Sequence, residues 1–315
     1  MQKGIVIKST GSWYLVKNIE TNEVIQSRIV GRFRINNKYL TNPVAVGDEV
    51  EYIIEQEGKG MIKKILPRRN YVVRQSPRQR QNLHLLASNV DQAIVMTTII
   101  DPELKIGFVD RFLLMTEAYN IPTVLIFNKA DLYEAEEMEY YEEIKTIYEK
   151  IGYTVMLVSA EDAIGLEAFQ TLLKDKTSLI AGQSGVGKST LVNSIQPQLE
   201  LRTGEISDYS GKGQHTTTFA EMHPLTFGGS IIDTPGIKLL AFTHLKPDDI
   251  SHNFREIFKA SKDCKYGDCS HRTEPFCAVK TAVENGAIAE SRYASFLQLL
   301  EETEDQNYWE RHKDA

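Results

Sequence analysis

The chain opens with short runs in which apolar and polar positions alternate. Residues 4–17 predict two strands joined at Gly11, Glu23–Ile29 and Val50–Ile54 add two more, and A-V-G-D at Ala45–Asp48 is a turn. Alternation sets one face of a strand against a core and the other toward water. Strands at this spacing over about 65 residues predict a small antiparallel barrel of the OB type, here residues 1–66. The stretch 67–82 is polar, basic and poor in apolar residues, and reads as a linker. The pattern then changes. Ala93–Thr98, Thr123–Phe127, Thr154–Ser159 and Ser178–Ala181 are near-continuous apolar runs, as buried parallel strands require, and Gly229–Asp233 is a fifth. Helical periodicity separates the first four at about 107–119, 134–151 and 164–174. Residues 83–243 therefore predict a doubly wound α/β domain with loops at the carboxyl ends of its strands, where such sheets bind ligands. Residues 244–315 read as helical with a cysteine-rich interruption, and 278–312 carry helix periodicity through Val279, Val283, Ile288, Tyr293, Phe296, Leu297 and Leu300. The acidic run Glu134–Glu143 reads as the solvated face of a helix.

Composition adds less than charge distribution. Hydrophobic residues at 42% and charged residues at 25% are ordinary for a globular protein. No run approaches the ~18 apolar residues of a membrane span, and the N-terminus has no signal-peptide core, so a cytoplasmic protein with no membrane partner is expected. The net charge of −7 conceals a division. Residues 1–82 hold 15 Lys+Arg against 7 Asp+Glu, and the rest 21 against 36. From Gly58 to Arg80 there are eight basic residues and no acid. A basic segment on an acidic protein points to a polyanionic partner, with a solubilising linker as the alternative. On the barrel, Trp13, Tyr14, Arg28, Arg32, Phe33, Arg34, Lys38 and Tyr39 are candidates for a nucleic-acid face, although any single aromatic among them is more often a core residue than a platform.

The chemistry lies in five short motifs. Gly182, Gln183, Ser184, Gly185, Val186, Gly187, Lys188 and Ser189 spell the phosphate loop G-x-x-x-x-G-K-[S/T], between an apolar run and the helical T-L-V-N-S-I that starts at Thr190. Glycines let backbone N–H groups wrap phosphates, Lys188 reaches the β/γ oxygens, and the Ser189 hydroxyl ligates Mg²⁺. N-K-A-D at Asn128–Asp131 ends another apolar run. The Asp131 carboxylate can accept from guanine N1 and N2, a donor pair that adenine lacks, while Asn128 and Lys129 hold and cover the ring. S-A-E ends the next strand, where Ser159 and Ala160 bring a backbone N–H to guanine O6. In D-T-P-G, Asp233 holds Mg²⁺ through water and the Gly236 N–H senses a γ-phosphate. Ile237 follows, where many GTPases carry a water-positioning Gln, so another group must orient the water. G-K-G-Q-H-T-T-T at Gly211–Thr218 lies where switch I belongs. There one of Thr216 and Thr217, with Thr217 assigned, ligates Mg²⁺, and His215 is the candidate for the water. Lys188, His215 and Thr217 are thus the candidate catalytic groups.

The guanine motif precedes the phosphate loop, the reverse of an ordinary small GTPase. The same pocket must come from a circularly permuted chain. All three cysteines lie in C-x4-C-x-H-x5-C: Cys264, Cys269, His271 and Cys277. Three thiolates and an imidazole satisfy tetrahedral Zn²⁺ and leave no open position, so a structural zinc is expected, with a catalytic thiol as the alternative.

With its motif order, barrel and cysteine spacing, nearly the whole chain resembles the circularly permuted ribosome-associated GTPases. The resemblance implies a monomer that binds GTP and GDP and hydrolyses GTP on stimulation by the small ribosomal subunit, with a role in that subunit's late maturation. It also implies that barrel and zinc module contact ribosomal RNA. Because the segment after D-T-P-G runs straight to the zinc module, loss of the γ-phosphate is expected to loosen the grip on RNA through that connection. A nucleotide-gated RNA-binding scaffold with incidental hydrolysis is the competing reading. A metabolic kinase would leave N-K-A-D and D-T-P-G unexplained.

Overall fold

A computed structural model describes residues 1–30, 42–55, 58–75, 83–200, 220–233 and 245–311. Strands β1 (Gln2–Ser9), β2 (Tyr14–Asn18), β3 (Val24–Ile29), β4 (Glu49–Ile54) and β5 (Gly60–Ile65) close into a barrel. The circuit runs β1-β2-β3-β5-β4 and back to β1, antiparallel throughout except for β3–β5. Inward positions converge on Val6, Val16, Val44, Val50, Tyr52 and Ile62. Closure removes the free edges that a five-stranded open sheet would present. Tyr14, a candidate for the nucleic-acid face, lies in this core at 1% exposure. Its inward register on β2 decides that. Arg28 is on the surface, 3.1 Å from Glu55; Arg32, Phe33, Arg34, Lys38 and Tyr39 fall outside the described residues.

The basic stretch expected as a linker is partly sheet. β6 (Tyr71–Gln75) pairs antiparallel with β7 (Leu83–Ser88), a hairpin outside the barrel. Its arginines masked the Val72 and Val73 pair, both fully buried. Nor is all of the basic charge available to a partner. Asp48, fully buried in the predicted A-V-G-D turn, accepts from Arg68 Nε at 2.6 Å, Arg68 Nη2 at 2.7 Å and Ser88 Oγ at 2.6 Å. Arg69 is likewise held by Asp91 at 2.9 Å. Gly47 has φ +91°, and a Cβ there would stand 2.0 Å from the Ser88 carbonyl. The turn thus joins barrel to hairpin by a contact that only glycine permits.

Next comes the α/β domain: β8 (Gln92–Thr97), α1 (Ile106–Ala118), β9 (Thr123–Phe127), α2 (Ala135–Lys150), β10 (Thr154–Leu157), α3 (Leu166–Leu173), β11 (Thr177–Gly182), α4 (Lys188–Ile195), β12 (Glu221–Pro224) and β13 (Ser230–Asp233). The order across the sheet is β10-β9-β8-β11-β13-β12, parallel except for β12. β12 also pairs with β1, so barrel and α/β domain share one continuous sheet. As expected, β8, β9 and β11 are apolar almost throughout and buried between helices.

Helices α5 (Pro247–Asn253), α6 (Arg255–Ser261), α7 (Ala278–Glu284) and α8 (Glu290–Arg311) complete the described chain. The single periodic stretch 278–312 is two helices. Asn285 caps α7 and Gly286, at φ +73°, turns the chain out of the helix. These helices share a core with the α/β domain: Phe254, Phe296 and Leu300 pack with Phe112, Leu113 and Tyr148. Within it Arg292, 2% exposed, donates to Asp110 Oδ1 at 2.5 Å and Glu256 Oε1 at 2.7 Å, and lies 4.5 Å over the Phe254 ring. Tyr148 donates to the same Asp110 oxygen at 2.6 Å.

Removing Arg292 would strand two buried carboxylates. We expect Arg292→Met to cost about 3–5 kcal/mol, read as a lowered midpoint of thermal unfolding, and Asp110→Asn to cost less, since the amide keeps an acceptor. An unchanged midpoint in Arg292→Met would show that the cluster is energetically neutral.

Candidate nucleotide site and zinc centre

The phosphate loop leaves the carboxyl end of β11, the central strand, and turns into α4 at Lys188. Gly185 and Gly187 have φ +86° and +85°, a left-handed backbone suited to a loop whose N–H groups wrap a phosphate. Space also requires glycine. A Cβ on Gly182 would lie 2.5 Å from the Met96 carbonyl, and one on Gly187 2.5 Å from Asn128 Nδ2. Lys188 Nζ crosses the loop, donating to Gly182 O at 3.0 Å and Gln183 O at 2.8 Å. Lys188, Ser189 and Asp233 line one depression over an apolar floor of Ile180, Val192, Ile231 and Ile232. A serine hydroxyl, an acid and a lysine beside a ring of N–H donors suit phosphate and a hard, oxygen-seeking cation. Among the described residues no donor reaches the buried Gln183 Oε1, which marks a place where a ligand or water can complete the bonding. Ser184 is half-buried and Thr190 exposed.

The guanine motif meets this loop laterally. Asn128, 2% exposed, donates through Nδ2 to the Val186 carbonyl at 2.8 Å, and its backbone N–H donates to Thr97 O at 2.8 Å. Tyr133 donates its hydroxyl proton to Asn128 O at 2.8 Å and accepts from the Ile99 N–H at 2.9 Å. Burial raises the Tyr133 phenol, which keeps it a donor. Lys129 sits at φ +65° and donates to the Asp101 carbonyl at 2.5 Å and to its carboxylate at 3.1 Å. Ser159, fully buried at the end of β10, donates to Asp131 Oδ1 and accepts from the Asp162 N–H at 3.1 Å, which fixes the exposed Asp131 carboxylate. Ala160 is beside it, half-buried. All these groups, as expected, sit on loops at the carboxyl ends of neighbouring parallel strands. His215, Thr216, Thr217, Gly236 and Ile237 fall outside the described residues.

Two contributors carried no motif. Asp101 and Pro102 lie on the loop between β8 and α1; Asp101 holds Lys129, and Pro102 is the nearest neighbour of a Cβ built on Gly185, at 3.5 Å. This loop therefore borders both halves of the pocket. Its only sequence signal is an Asp-Pro turn.

The four candidate zinc ligands lie on the loop between α6 and α7, the last of them, Cys277, being the residue before α7. The Sγ atoms of Cys264, Cys269 and Cys277 and the ring of His271 place one donor atom each within 4.8 Å of one another. Cys264 Sγ and Cys277 Sγ stand 3.6 and 3.5 Å from His271 Nδ1, and 4.0 Å from each other. Tetrahedral zinc with bonds of about 2.3 Å to sulfur and about 2.0 Å to nitrogen requires donor separations of roughly 3.6–3.8 Å. The cluster could hold one ion, and its four donors are the number that a closed tetrahedral site uses. In the protein alone, burial and the neighbouring thiols push the Cys269 thiol up to about 12; a dication among the sulfurs reverses that preference. Burial holds His271 below its ordinary value, in the neutral form that ligates. Glu274 fastens the loop from outside the cluster. Its carboxylate accepts from Ser270 N at 2.8 Å, Ser270 Oγ at 2.5 Å, Arg272 N at 2.9 Å and Thr273 N at 3.1 Å. These bonds, the Ser270 hydroxyl's foremost, hold it down to about 2.

A permuted GTPase is the class that this fold and these motifs define. The model of the RsgA GTPase domain matches residues 65–243 and that of the RsgA N-terminal domain residues 3–62. The chain is 47% identical over 306 residues to the small ribosomal subunit biogenesis GTPase RsgA of Bacteroides fragilis, covering 97% of this chain and 98% of that relative. It is 44% identical over 308 residues to its namesake from Flavobacterium psychrophilum, covering 97% and 94%. Among solved structures, YjeQ from Thermotoga maritima superposes with a TM-score of 0.78 at 35% identity, covering 96% of this chain and 98% of that one. YloQ, a circularly permuted GTPase, gives 0.73 at 32%, covering 97% and 96%. The chain belongs to the RsgA GTPase family and is a GTP hydrolase.

Two outcomes test the two centres. Gly187→Ala sets a methyl group against Asn128 at positive φ, and we expect GDP affinity to fall on the order of tenfold or more in a fluorescent-nucleotide titration. Cys277→Ser should reduce bound zinc from about one ion per chain to a small fraction by metal analysis. It should also lower the unfolding midpoint, since Cys277 packs in the core shared with the α/β domain. Full zinc content in that variant would remove Cys277 from the ligand set.

Proposed function

We propose that this chain binds the small ribosomal subunit and its rRNA and hydrolyses GTP during late maturation of that subunit, as a cytoplasmic monomer whose turnover the subunit stimulates. The observation that carries this reading is the match over 97% of the chain to relatives named for small-subunit biogenesis. Two further features support it. The barrel has the OB strand order, a common nucleic-acid scaffold, and among the described residues no helix is long and apolar enough to cross a membrane.

In this reading Asp131 accepts from guanine N1 and N2 while Lys129, held by Asp101, covers the ring. The Ser159–Ala160 turn meets guanine O6. The N–H groups of Gly182–Gly187 surround the β-phosphate, and Lys188 spans the β- and γ-oxygens. Ser189, Asp233 and Thr217 hold Mg²⁺, which supplies charge neutralisation on the phosphates. Water attacks the γ-phosphorus, the bond to the β–γ bridging oxygen breaks, and GDP and phosphate leave. Ile237 cannot orient the water, so His215 is assigned that task. The Gly236 N–H reports the γ-phosphate, and the segment from Asp233 leads to Leu245, buried in the core shared with the zinc module. Release of phosphate is read out along that path.

Purified small subunits should raise the GTPase rate of the full chain, and binding should weaken steeply with added salt as phosphate contacts release counterions. A rate unaffected by saturating subunits would overturn the stimulated-hydrolysis reading. Binding that is equal with GDP and with a non-hydrolysable GTP analogue would favour a scaffold without a switch. His215→Ala should lower turnover by about a hundredfold while leaving GDP affinity within about twofold; unchanged hydrolysis would exclude His215.

A further inference from the structure

The zinc loop presents an aromatic side chain in a place where neither burial nor backbone preference explains it. Phe276 is 73% exposed, the highest value among the large internal hydrophobic residues that the structure describes. Its backbone has φ +61°, a left-handed conformation that bulky residues rarely adopt and that costs of order 1–3 kcal/mol. The conformation is held from both sides. Cys277, the next residue, belongs to the Cys/His cluster, and Glu274 collects the loop's N–H donors two residues before. A strained, exposed ring on a doubly anchored loop is a presented group rather than a leftover of packing.

Its neighbours define what it can meet. Lys265 Nζ stands 4.6 Å from the Phe276 ring and 5.6 Å from the ring of Tyr266, itself 41% exposed. The Lys265 N–H also points to the Phe276 carbonyl at 3.5 Å. Another aromatic–lysine pair precedes it on the same module: Lys262 Nζ lies 4.9 Å from Phe258, 38% exposed. Lys259, Lys262 and Lys265 fall within seven positions with Asp263 the only acid among them; Asp268 follows. An apolar protein pocket closing over Phe276 would have to desolvate the Lys265 ammonium without compensation. A nucleotide would not. Its base offers a π-face to the ring while its phosphate pairs with the ammonium, the combination that binds single-stranded nucleic acid.

We propose that Phe276, Tyr266 and Lys265 form a stacking platform for an unpaired base of the RNA that this protein engages, Phe276 and Tyr266 against the base and Lys265 on its phosphate. This rests on the small-subunit reading above and adds to it the residues and the unpaired state of the RNA. Phe276 is exposed and is not one of the four clustered donors, so its substitution leaves the ligand set intact.

The experiment compares the full-length zinc-loaded chain with Phe276→Ala, Phe276→Leu, Phe276→Trp and Lys265→Gln, measuring affinity for purified small subunits with a non-hydrolysable GTP analogue. Zinc content and GDP affinity serve as controls for folding. Loss of one stacked base predicts a five- to hundredfold weaker affinity for Phe276→Ala and for Phe276→Leu, with Phe276→Trp within about twofold of the parent. Lys265→Gln should weaken binding and reduce the salt slope by about one. Ultraviolet cross-linking of the parent complex should join the peptide containing Phe276 to RNA. If Phe276→Leu binds like the parent while Phe276→Ala does not, or the cross-link is to a protein, the surface is an apolar protein contact and the platform is wrong. If all four variants bind like the parent, the platform alone falls and small-subunit binding stands. If the parent itself fails to bind subunits, both readings fall.

Discussion

The 2.8 Å bond from Asn128 to the Val186 carbonyl is the contact on which the permuted pocket depends. It joins the guanine motif to the phosphate loop across 58 residues of sequence, inside a space that Gly187 alone keeps open. Chain order does not enter. β9 and β11 flank β8 in one parallel sheet, so their carboxyl-end loops are neighbours whichever is made first. Permutation is tolerated because a nucleotide pocket of this kind is assembled from lateral contacts between loops and needs no direct covalent link between them.

Permutation does change what the pocket is attached to. The strand that ends in Asp233 is followed in sequence by the zinc module, whose Arg292 and Glu256 form a buried cluster with Asp110 of α1 and Tyr148 of α2. Arg255 adds a second link, 2.6 Å from Glu117 and stacked at 4.1 Å on Tyr153. Helix α1 in turn begins just after the Asp101–Pro102 loop that borders Lys129 and Gly185. The pocket and the zinc module are therefore joined on two sides, one through the segment after Asp233 and one through α1. A shift of the module relative to the phosphate loop has to displace α1 or break a buried charge cluster, and the second is costly.

Charge on the N-terminal half has a similar double character. Read along the chain, Gly58–Arg80 is an uninterrupted basic run. In space, Arg68 neutralises the buried Asp48 that joins barrel to hairpin, and Arg69 pairs with Asp91. Part of what composition presents as a polyanion footprint is structural, because a buried carboxylate requires a paired cation. Lys63 and Lys64 belong to strand β5, whose remaining positions close the barrel.

By itself the sequence determined the chemistry and the local elements. The phosphate loop, N-K-A-D, S-A and the Cys/His cluster stood out as motifs because each is a compact stretch of chain with a distinctive residue pattern, and the buried strands because apolar runs have few other uses. It also determined the permuted order and the barrel's early strands. Helices α1 and α2 emerged within a residue or two of expectation. Strands β5, β6 and β7 did not, since their charged or paired outer faces hid the buried ones. Tertiary structure alone decided the rest: Tyr14 inside the barrel, Arg68 against Asp48, Asp101 beneath Lys129, Arg292 between two acids 182 and 36 residues away, and Phe276 held outward on the zinc loop. Each is a contact between residues that share no motif, or an orientation fixed by a neighbour's anchor. Local pattern records which residues want burial or charge; only the packed chain selects the partner that satisfies them.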